Sequence, residues 1–307
     1  MELKVMRPGM LTTVQDLGRP GMRAEGIPAG GAMDAPALRI ANLLVGNEEC
    51  AAGLEVTLVG PEIEFAAETL IAFGGAEFES IPNWRPFRMR AGERLHMGPA
   101  VRGCRGYMAV AGGIAVETVL GGRGTHLQAG IGGLEGRALW AGDVLPTPQA
   151  SRKVIGRWHL DERILPEYGD SPVVRIVRGA HERELGNALL TESFTVTNQS
   201  DRMGIRLEAA APMRSAEPAA LSGAVLPGSI QLPPDGQPIV LMADAQTLGG
   251  YPLIGHVIGP DLALLAQVRA GDKVTFREVS LDEAHALALA RDKAIGLLRH
   301  GLAEKFA

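Results

Sequence analysis

The sequence lacks the glycine-rich motifs that commonly bind nucleotides. Its 307 residues contain no Gly-x-x-x-x-Gly-Lys-Ser/Thr phosphate loop and no Gly-x-Gly-x-x-Gly motif after an apolar strand. None of its lysines is flanked by methionines, as a biotinyl lysine would be. We therefore expect any ATP or biotin to be supplied by another protein.

Aromatic residues and positive charge are also scarce. Aromatics make up 4% of the chain and the formal net charge is −5, so neither a stacking platform nor a basic surface for nucleic acid is expected. No apolar run is long enough for a membrane-spanning helix, and the N-terminus lacks the apolar core of a signal peptide. The sequence predicts a cytoplasmic protein that binds neither nucleic acid nor membrane.

Cysteine and histidine are sparse and unpaired in their spacing. Cys50 and Cys104 fit no metal or redox motif, so we expect two buried free thiols. The seven histidines show no zinc-site spacing, and no metal is predicted. His256 lies just after a polar stretch, where it is either a proton carrier or an ordinary loop residue.

Glycine, by contrast, is abundant. The 40 glycines are about double the usual usage, and many short apolar runs alternate with Gly, Pro and Asp turns. This pattern predicts a mainly β fold with few short helices.

Two helices are predicted from their capping residues. Asp34 is a good N-cap for a helix over 35–45, and Gly46 supplies its C-terminal stop. Ser280 begins a capping box that ends at Glu283, which predicts an amphipathic C-terminal helix over 281–307.

The order of short motifs suggests an internal duplication. The segment 15–21 is loosely echoed by 199–204, and the glycine pair 112–113 is echoed by 249–250. Proline and polar residues near the middle of the chain are typical of a linker. We predict a β-rich module, a linker, a second β-barrel module and a terminal helix, with bounds 1–150, 151–171, 172–280 and 281–307.

The stretch 228–251 combines a predicted strand with many amides and carboxylates. Ile239–Met242 reads as a buried strand, and Asp235-Gly236 before it reads as a tight turn. The polar side chains would then lie at strand ends, where a rigid scaffold presents them to a small polar ligand. The alternative is a hairpin with a polar rim whose amides are satisfied internally.

Acidic and basic residues also meet glycine-rich loops. Pairing with Arg19 or Arg202 would keep Asp16, Asp201 and Asp244 ionised. The guanidinium groups could bind an anionic substrate, and adjacent glycines could bring amides to an oxyanion. A structural role for each pair, as a staple between loops, stays equally open.

Several motifs occurring in order resemble the allophanate hydrolase subunit 2 family, also called the KipA or biotin-dependent carboxyltransferase family. The resemblance runs from about residue 7 to 280 and implies two cyclophilin-like β-barrel modules. It is carried by Thr12-Thr-Val-Gln-Asp-Leu-Gly-Arg19, Gly26-Ile-Pro-Ala-Gly-Gly-Ala-Met-Asp34, Ala41-Asn-Leu-Leu-Val-Gly-Asn47, Leu54-Glu55, Ser200-Asp-Arg-Met-Gly204 and the 228–251 stretch.

The resemblance also implies a function within a complex. The expected activity is ATP-dependent opening of 5-oxoproline to L-glutamate, with ATP bound through the complex. The alternatives are carboxyl transfer from a partner's carboxybiotin to urea or a related amide, and a non-catalytic KipA-like regulator of a kinase inhibitor. Expected partners are a subunit 1 (KipI-like) homologue and a LamB/YcsF-type subunit. The length of the chain favours the 5-oxoproline activity over carboxyl transfer.

Together these arguments give a candidate site with two groups of residues. The catalytic candidates are Asp244, Gln246, Tyr251, Asp201 and Arg202. The substrate-binding candidates are Gln231, Asp235, Gln237, Gly249, Gly250, Gln15, Asp16 and Arg19. Arg202 is expected to bind a carboxylate or phosphate.

The chain departs from the family pattern at two places. Ala245 stands where members of the family commonly carry an arginine, and Gly121-Gly-Arg-Gly-Thr125 stands where Gly-Ser-Arg-Ser-Thr is usual. Loss of a fixed positive charge weakens anion binding unless Arg123 or Arg202 compensates.

Overall fold

The computed structural model describes residues 1–149, 160–161, 165–179, 186–213, 221–303 and 305. The chain divides into two compact units. Unit 1 comprises Met1–Pro20, Gly30–Pro166 and Lys293–Ala307, and unit 2 comprises Gly21–Ala29 and Glu167–Asp292. Unlike the predicted contiguous modules, this division places residues 21–29 in unit 2 and residues 293–307 in unit 1. The predicted linker, 151–171, lies largely outside the described residues.

Unit 1 contains two sheets, the helix α1 and the C-terminal part of the last helix. The four-stranded sheet has the order β7-β4-β1-β9, and the five-stranded sheet has the order β2-β3-β8-β5-β6. The elements are β1 (Glu2–Arg7), β2 (Leu11–Gln15), α1 (Ala35–Leu44), β3 (Gly53–Thr57), β4 (Glu62–Phe65), β5 (Thr69–Phe78), β6 (Pro86–Met89), β7 (Arg94–His96), β8 (Ala100–Val110) and β9 (Val144–Pro146).

The two sheets of unit 1 share one hydrophobic core. Leu3 and Phe65 of the four-stranded sheet are fully buried, as are Leu54 and Met108 of the five-stranded sheet, and all four belong to the same cluster. Burial of such side chains is worth about 1.5–3 kcal/mol each and holds the sheets together. In the described residues, two sheets thus stand where the first of the two barrels was predicted. Strand β1 belongs to the four-stranded sheet and the next strand, β2, belongs to the five-stranded sheet.

Unit 2 contains a closed barrel with the strand order β10-β17-β14-β15-β12-β11-β18. Parallel pairing of β10 with β18 closes it, with Val174 opposite Phe276. A two-stranded ribbon, β13-β16, accompanies the barrel. The elements are β10 (Val173–Arg178), α2 (Gly186–Thr191), β11 (Ser193–Val196), β12 (Gly204–Glu208), β13 (Gly223–Ala224), β14 (Ser229–Gln231), β15 (Ile239–Leu241), β16 (Leu248–Gly249), β17 (Leu253–Val257), α3 (Leu262–Gln267) and β18 (Lys273–Glu278). The last helix, α4 (Leu281–Ala303), begins in unit 2 and ends in unit 1.

The prediction of a mainly β protein with few short helices and a terminal helix is confirmed. Asp34 caps α1 by accepting a hydrogen bond from the Ala37 amide at 3.0 Å, and Gly46 follows the helix with φ +79°. Ser280 caps α4 through the Glu283 amide at 3.1 Å. These caps are local contacts, which is why the sequence predicts them.

The two cysteines differ in exposure. Cys104 is a buried free thiol as predicted, but Cys50 is exposed, so the prediction was wrong for that residue. Cys50 lies in the short connection after α1, which covers little apolar surface.

Substitution of the α1 cap should measurably weaken unit 1. Asp34→Ala removes the acceptor for the Ala37 amide, and we expect it to cost about 1 kcal/mol of unfolding free energy. Asp34→Ser, which keeps a side-chain acceptor, should lose less. Chemical denaturation of both variants checks this, and equal losses would show that the cap is not the cause.

Candidate functional site

Three of the predicted site residues meet beside the barrel of unit 2. The Gln246 side-chain amide donates to Gln231 Oε1 at 3.3 Å. A Cβ added to Gly249 would lie 2.4 Å from Gln231 Nε2, so only glycine allows this close approach. Gly250 is half-buried, and Tyr251 beyond it is 44% exposed. The structure therefore places amide groups together with a glycine backbone at one surface of unit 2.

Arg202 and Asp244 pair with each other. The Arg202 guanidinium donates to both Asp244 oxygens, at 2.8 and 2.9 Å, and each side chain is only 6% exposed. The Asp244 amide also donates to the Arg202 carbonyl at 3.0 Å. This arrangement corresponds to the staple between loops, and it neutralises the charge that the sequence assigned to anion binding.

Three other predicted residues bond to the main chain. The Asp201 carboxylate accepts from the amides of Met203 and Gly204, at 2.8 and 3.2 Å. Asp235 accepts from the Gln237 amide at 3.0 Å, and the Gln237 side chain accepts from the Ala209 amide at 2.7 Å. These contacts stabilise turns and strand ends, including the predicted turn at Asp235-Gly236.

His256 lies on β17 opposite Ser229 of β14. The Ser229 hydroxyl lies 3.5 Å from His256 Nδ1 and accepts a hydrogen bond from the Leu226 amide at 3.1 Å. Burial lowers the pKa of His256 from its ordinary value of 6.5. The imidazole is therefore neutral at neutral pH, and its ring nitrogens can each take one hydrogen-bonding role.

The predicted residues of unit 1 form a separate set of contacts. Asp16 accepts hydrogen bonds from the amides of Gly18, Arg123 and Gly124, at 2.8, 2.5 and 3.0 Å. Arg19 donates to the carbonyls of Val119 and Gly124, at 3.0 and 2.6 Å. Both side chains thus fix the loop that follows residue 118.

Gln15 bonds to the same loop as Asp16. Its side-chain amide donates to Thr13 Oγ1 at 3.1 Å and to the Thr125 carbonyl at 3.0 Å. A Cβ added to Gly124 would lie 2.6 Å from Gln15 Oε1, so the glycine is needed for this packing. Arg123 is exposed in this loop.

A buried polar network in unit 1 was not predicted. The Tyr107 hydroxyl donates to Glu55 Oε2 at 2.8 Å and accepts from the Asp34 amide at 2.8 Å. Glu55 also accepts from the Met33 amide at 2.9 Å. Burial, and then the charges of Glu55 and Asp34, raise the pKa of Tyr107 well above its usual range. The Leu54-Glu55 motif was the sequence signal, since glutamate is unusual in a buried strand.

The described residues contain no candidate metal site. Within them, no group of three histidine, cysteine or acidic side chains could hold a metal ion. None of the described helices combines the length and apolar character needed to cross a bilayer.

Comparison with known proteins adds the family. Residues 25–278 match the carboxyltransferase domain, subdomain A and B. The chain is 42% identical over 292 residues to a 5-oxoprolinase subunit of Escherichia coli, covering 92% of this chain and 93% of that protein. It is 38% identical over 308 residues to the 5-oxoprolinase subunit of the same type from Haemophilus influenzae, covering 95% and 96%.

A solved structure shares the fold. The crystal structure of the K. lactis urea amidolyase superimposes with a TM-score of 0.88 at 28% sequence identity. The match covers 97% of this chain but only 20% of that protein. The fold thus also occurs as one part of a much longer chain.

Breaking the Arg202–Asp244 pair should reduce stability more than it reduces activity per folded molecule. Asp244→Asn removes the carboxylate charge from the bidentate pair with the buried guanidinium, and we expect a loss of roughly 3 kcal/mol or more. Replacing both partners, Arg202→Met with Asp244→Leu, should recover most of it. Thermal melting and the rate of the assembled complex are measured on the same preparations. A lost rate with an unchanged melting temperature would instead assign the pair to catalysis.

The stability of unit 2 should fall as the pH falls through the pKa of His256. Since the folded state lowers this pKa, the unfolded chain binds the proton first, and protonation favours unfolding. The loss begins below about pH 6.5 and ends at the lower folded-state pKa. Melting temperatures of wild type and His256→Asn between about pH 7.5 and 5 test this. Parallel pH profiles of the two proteins would contradict it.

Proposed function

We propose that this chain is a subunit of an ATP-dependent complex that opens 5-oxoproline to L-glutamate. The chain belongs to the family of the carboxyltransferase domain, subdomain A and B. The observation that carries the proposal is the match to the two bacterial 5-oxoprolinase subunits, which spans nearly the full length of both chains. Because the match covers most of this chain and most of each relative, it supports the same role in the same type of assembly.

The chemistry of lactam opening fits the amide cluster of unit 2. Water adds to the carbonyl carbon, the C–N bond breaks, and the nitrogen leaves as an amine. Negative charge develops on the carbonyl oxygen in the tetrahedral intermediate, so donors placed there lower the barrier. In this proposal Gln231 and Gln246, which lie beside the backbone of Gly249, hold the amide of the substrate.

Other subunits complete the proposed enzyme. Because the sequence contains no phosphate loop, ATP would bind through the complex, with a subunit 1 homologue and a LamB/YcsF-type subunit as companions. Exposed apolar side chains on and beside the β13-β16 ribbon support a partner surface, since monomers rarely expose such groups together. They are Leu221, Leu226, Leu248 and Tyr251. A cytoplasmic location is part of the same proposal.

Carboxyl transfer is the second candidate function. The match to the carboxyltransferase domain and the likeness to the urea amidolyase structure favour it. The substrate would be urea or a related amide, and a partner would supply carboxybiotin. The third candidate, a regulator without catalysis, predicts partner binding with no turnover.

We expect the purified chain alone to show no turnover, because its companions must supply the nucleotide site. The test measures ATP-dependent glutamate formation from 5-oxoproline by the chain alone, by the companions alone and by the co-purified complex. Activity should require all components.

Each other outcome selects a different function. Turnover by the lone chain would contradict the need for companions. A co-purified complex that is inactive on 5-oxoproline but carboxylates urea from carboxybiotin would favour carboxyl transfer. Companions that elute separately at micromolar concentration would contradict the assembly.

A further inference from the structure

A positive charge in unit 2 has no carboxylate partner among the described residues. Arg23 lies in a 3-10 turn, Met22–Glu25, and its side chain is half-buried. Nη2 donates to the Val225 carbonyl, and Nη1 is buried with no hydrogen-bond partner among the described residues. Burial alone lowers the pKa of this guanidinium from its usual value. A guanidinium nevertheless stays charged in proteins, so the group is a cation without a counter-ion among the described residues.

A second donor without an acceptor belongs to Gln231. This side chain is only 2% exposed, and its Oε1 already accepts from Gln246. Nε2 is buried with no acceptor among the described residues. It packs against the backbone of Gly249, where an added Cβ would lie 2.4 Å from it.

Val225 links the two donors. Its carbonyl accepts a hydrogen bond from Arg23. Its Cγ1 lies beside Gly249, where an added Cβ would be 3.2 Å from Val225 Cγ1 and 2.4 Å from Gln231 Nε2. Val225 also packs with the buried Ala245 in one apolar cluster. A cation, an amide donor and an apolar wall thus border the same few residues of unit 2.

Buried donors without acceptors are rare in folded proteins because each costs free energy. Two such donors beside one residue are therefore best explained by acceptor atoms that a ligand supplies. The other arginine predicted for this role, Arg202, bonds both oxygens of Asp244. Ala245 carries no charge. In this region Arg23 therefore has a guanidinium N–H group that remains available to a ligand, since Nη1 has no acceptor among the described residues.

We propose that Arg23 and Gln231 form a binding site for a small ligand with one carboxylate and one carbonyl oxygen. Arg23 Nη1 receives the carboxylate and Gln231 Nε2 receives the carbonyl oxygen. The two chemical groups of the ligand are inferred from the unmatched donors alone, whereas the identification of the ligand as 5-oxoproline rests on the proposed function. With 5-oxoproline bound, Arg23 sets specificity and Gln231 holds the lactam oxygen on which charge develops.

Binding of three probes tests the site. Isothermal titration of the complex uses 5-oxoproline, 2-pyrrolidinone, which lacks the carboxylate, and acetate, which lacks the lactam. Arg23→Gln should weaken 5-oxoproline binding by roughly tenfold to a hundredfold and leave 2-pyrrolidinone unchanged. Gln231→Leu should weaken both lactams. Arg23→Lys, which keeps the charge without the planar fork, should fall between wild type and Arg23→Gln.

The matched control is Arg206→Gln. Arg206 is exposed on β12 of the same unit, so this variant loses the same charge and should bind all probes like wild type. Equal effects of Arg23→Gln and Arg206→Gln would mean that net charge, and not the site, governs binding. Unchanged 5-oxoproline binding by Arg23→Gln, or a fall only in its melting temperature, would overturn the proposal.

The design separates this inference from the proposed function. An active complex whose KM for 5-oxoproline is unchanged by Arg23→Gln overturns the site and leaves the function standing. A complex that is inactive on 5-oxoproline but binds the carboxylate probes through Arg23 overturns the function and retains the site. No binding of any probe to the wild-type complex overturns the site directly.

Discussion

The buried pair of Arg202 and Asp244 is the contact on which the site region of unit 2 depends. Two charges that are each 6% exposed have lost most of their hydration, which is costly unless every strong donor and acceptor is matched. The bidentate geometry achieves this match, and the main-chain bond between the same residues reinforces it. The pair joins the turn before β12 to the segment after β15, and Gln246 follows two residues beyond Asp244. The position of the amide cluster therefore depends on an ion pair that itself has little capacity left for a ligand.

Features that depend on neighbouring residues could be predicted from the sequence. The caps Asp34 and Ser280, the stop at Gly46 and the strand at Ile239–Leu241 all involve contacts within a few residues, so their residue types are sufficient signals. The tight turn at Asp235-Gly236 belongs to the same class. The meeting of Gln231, Gln246 and Gly249 was also indicated, because the three lie within one stretch of the chain.

Contacts between distant segments could not be predicted in the same way. Arg23 and Val225 are 202 residues apart, and no local pattern around Arg23 distinguishes it from a solvated surface residue. The bond from Gln15 to Thr125 spans 110 residues. Closure of the barrel by parallel pairing of β10 and β18 depends on the whole course of the chain between them. The sequence offered both Asp201 and Asp244 as partners for Arg202, and only the fold shows that Arg202 pairs with Asp244.

Residue type alone therefore does not separate scaffold from site in this protein. Asp16, Asp201, Asp235 and Asp244 all lie in glycine-rich loops, yet each is held by amides or by a guanidinium. Their bonding is complete enough that a ligand would have to displace a protein contact. Arg23 and Gln231 differ because a ligand would add a contact to donors that the described residues leave unmatched, which makes binding favourable without loss of existing hydrogen bonds. The degree of satisfaction of a buried polar group is thus a sharper criterion for a binding role here than its charge or its motif.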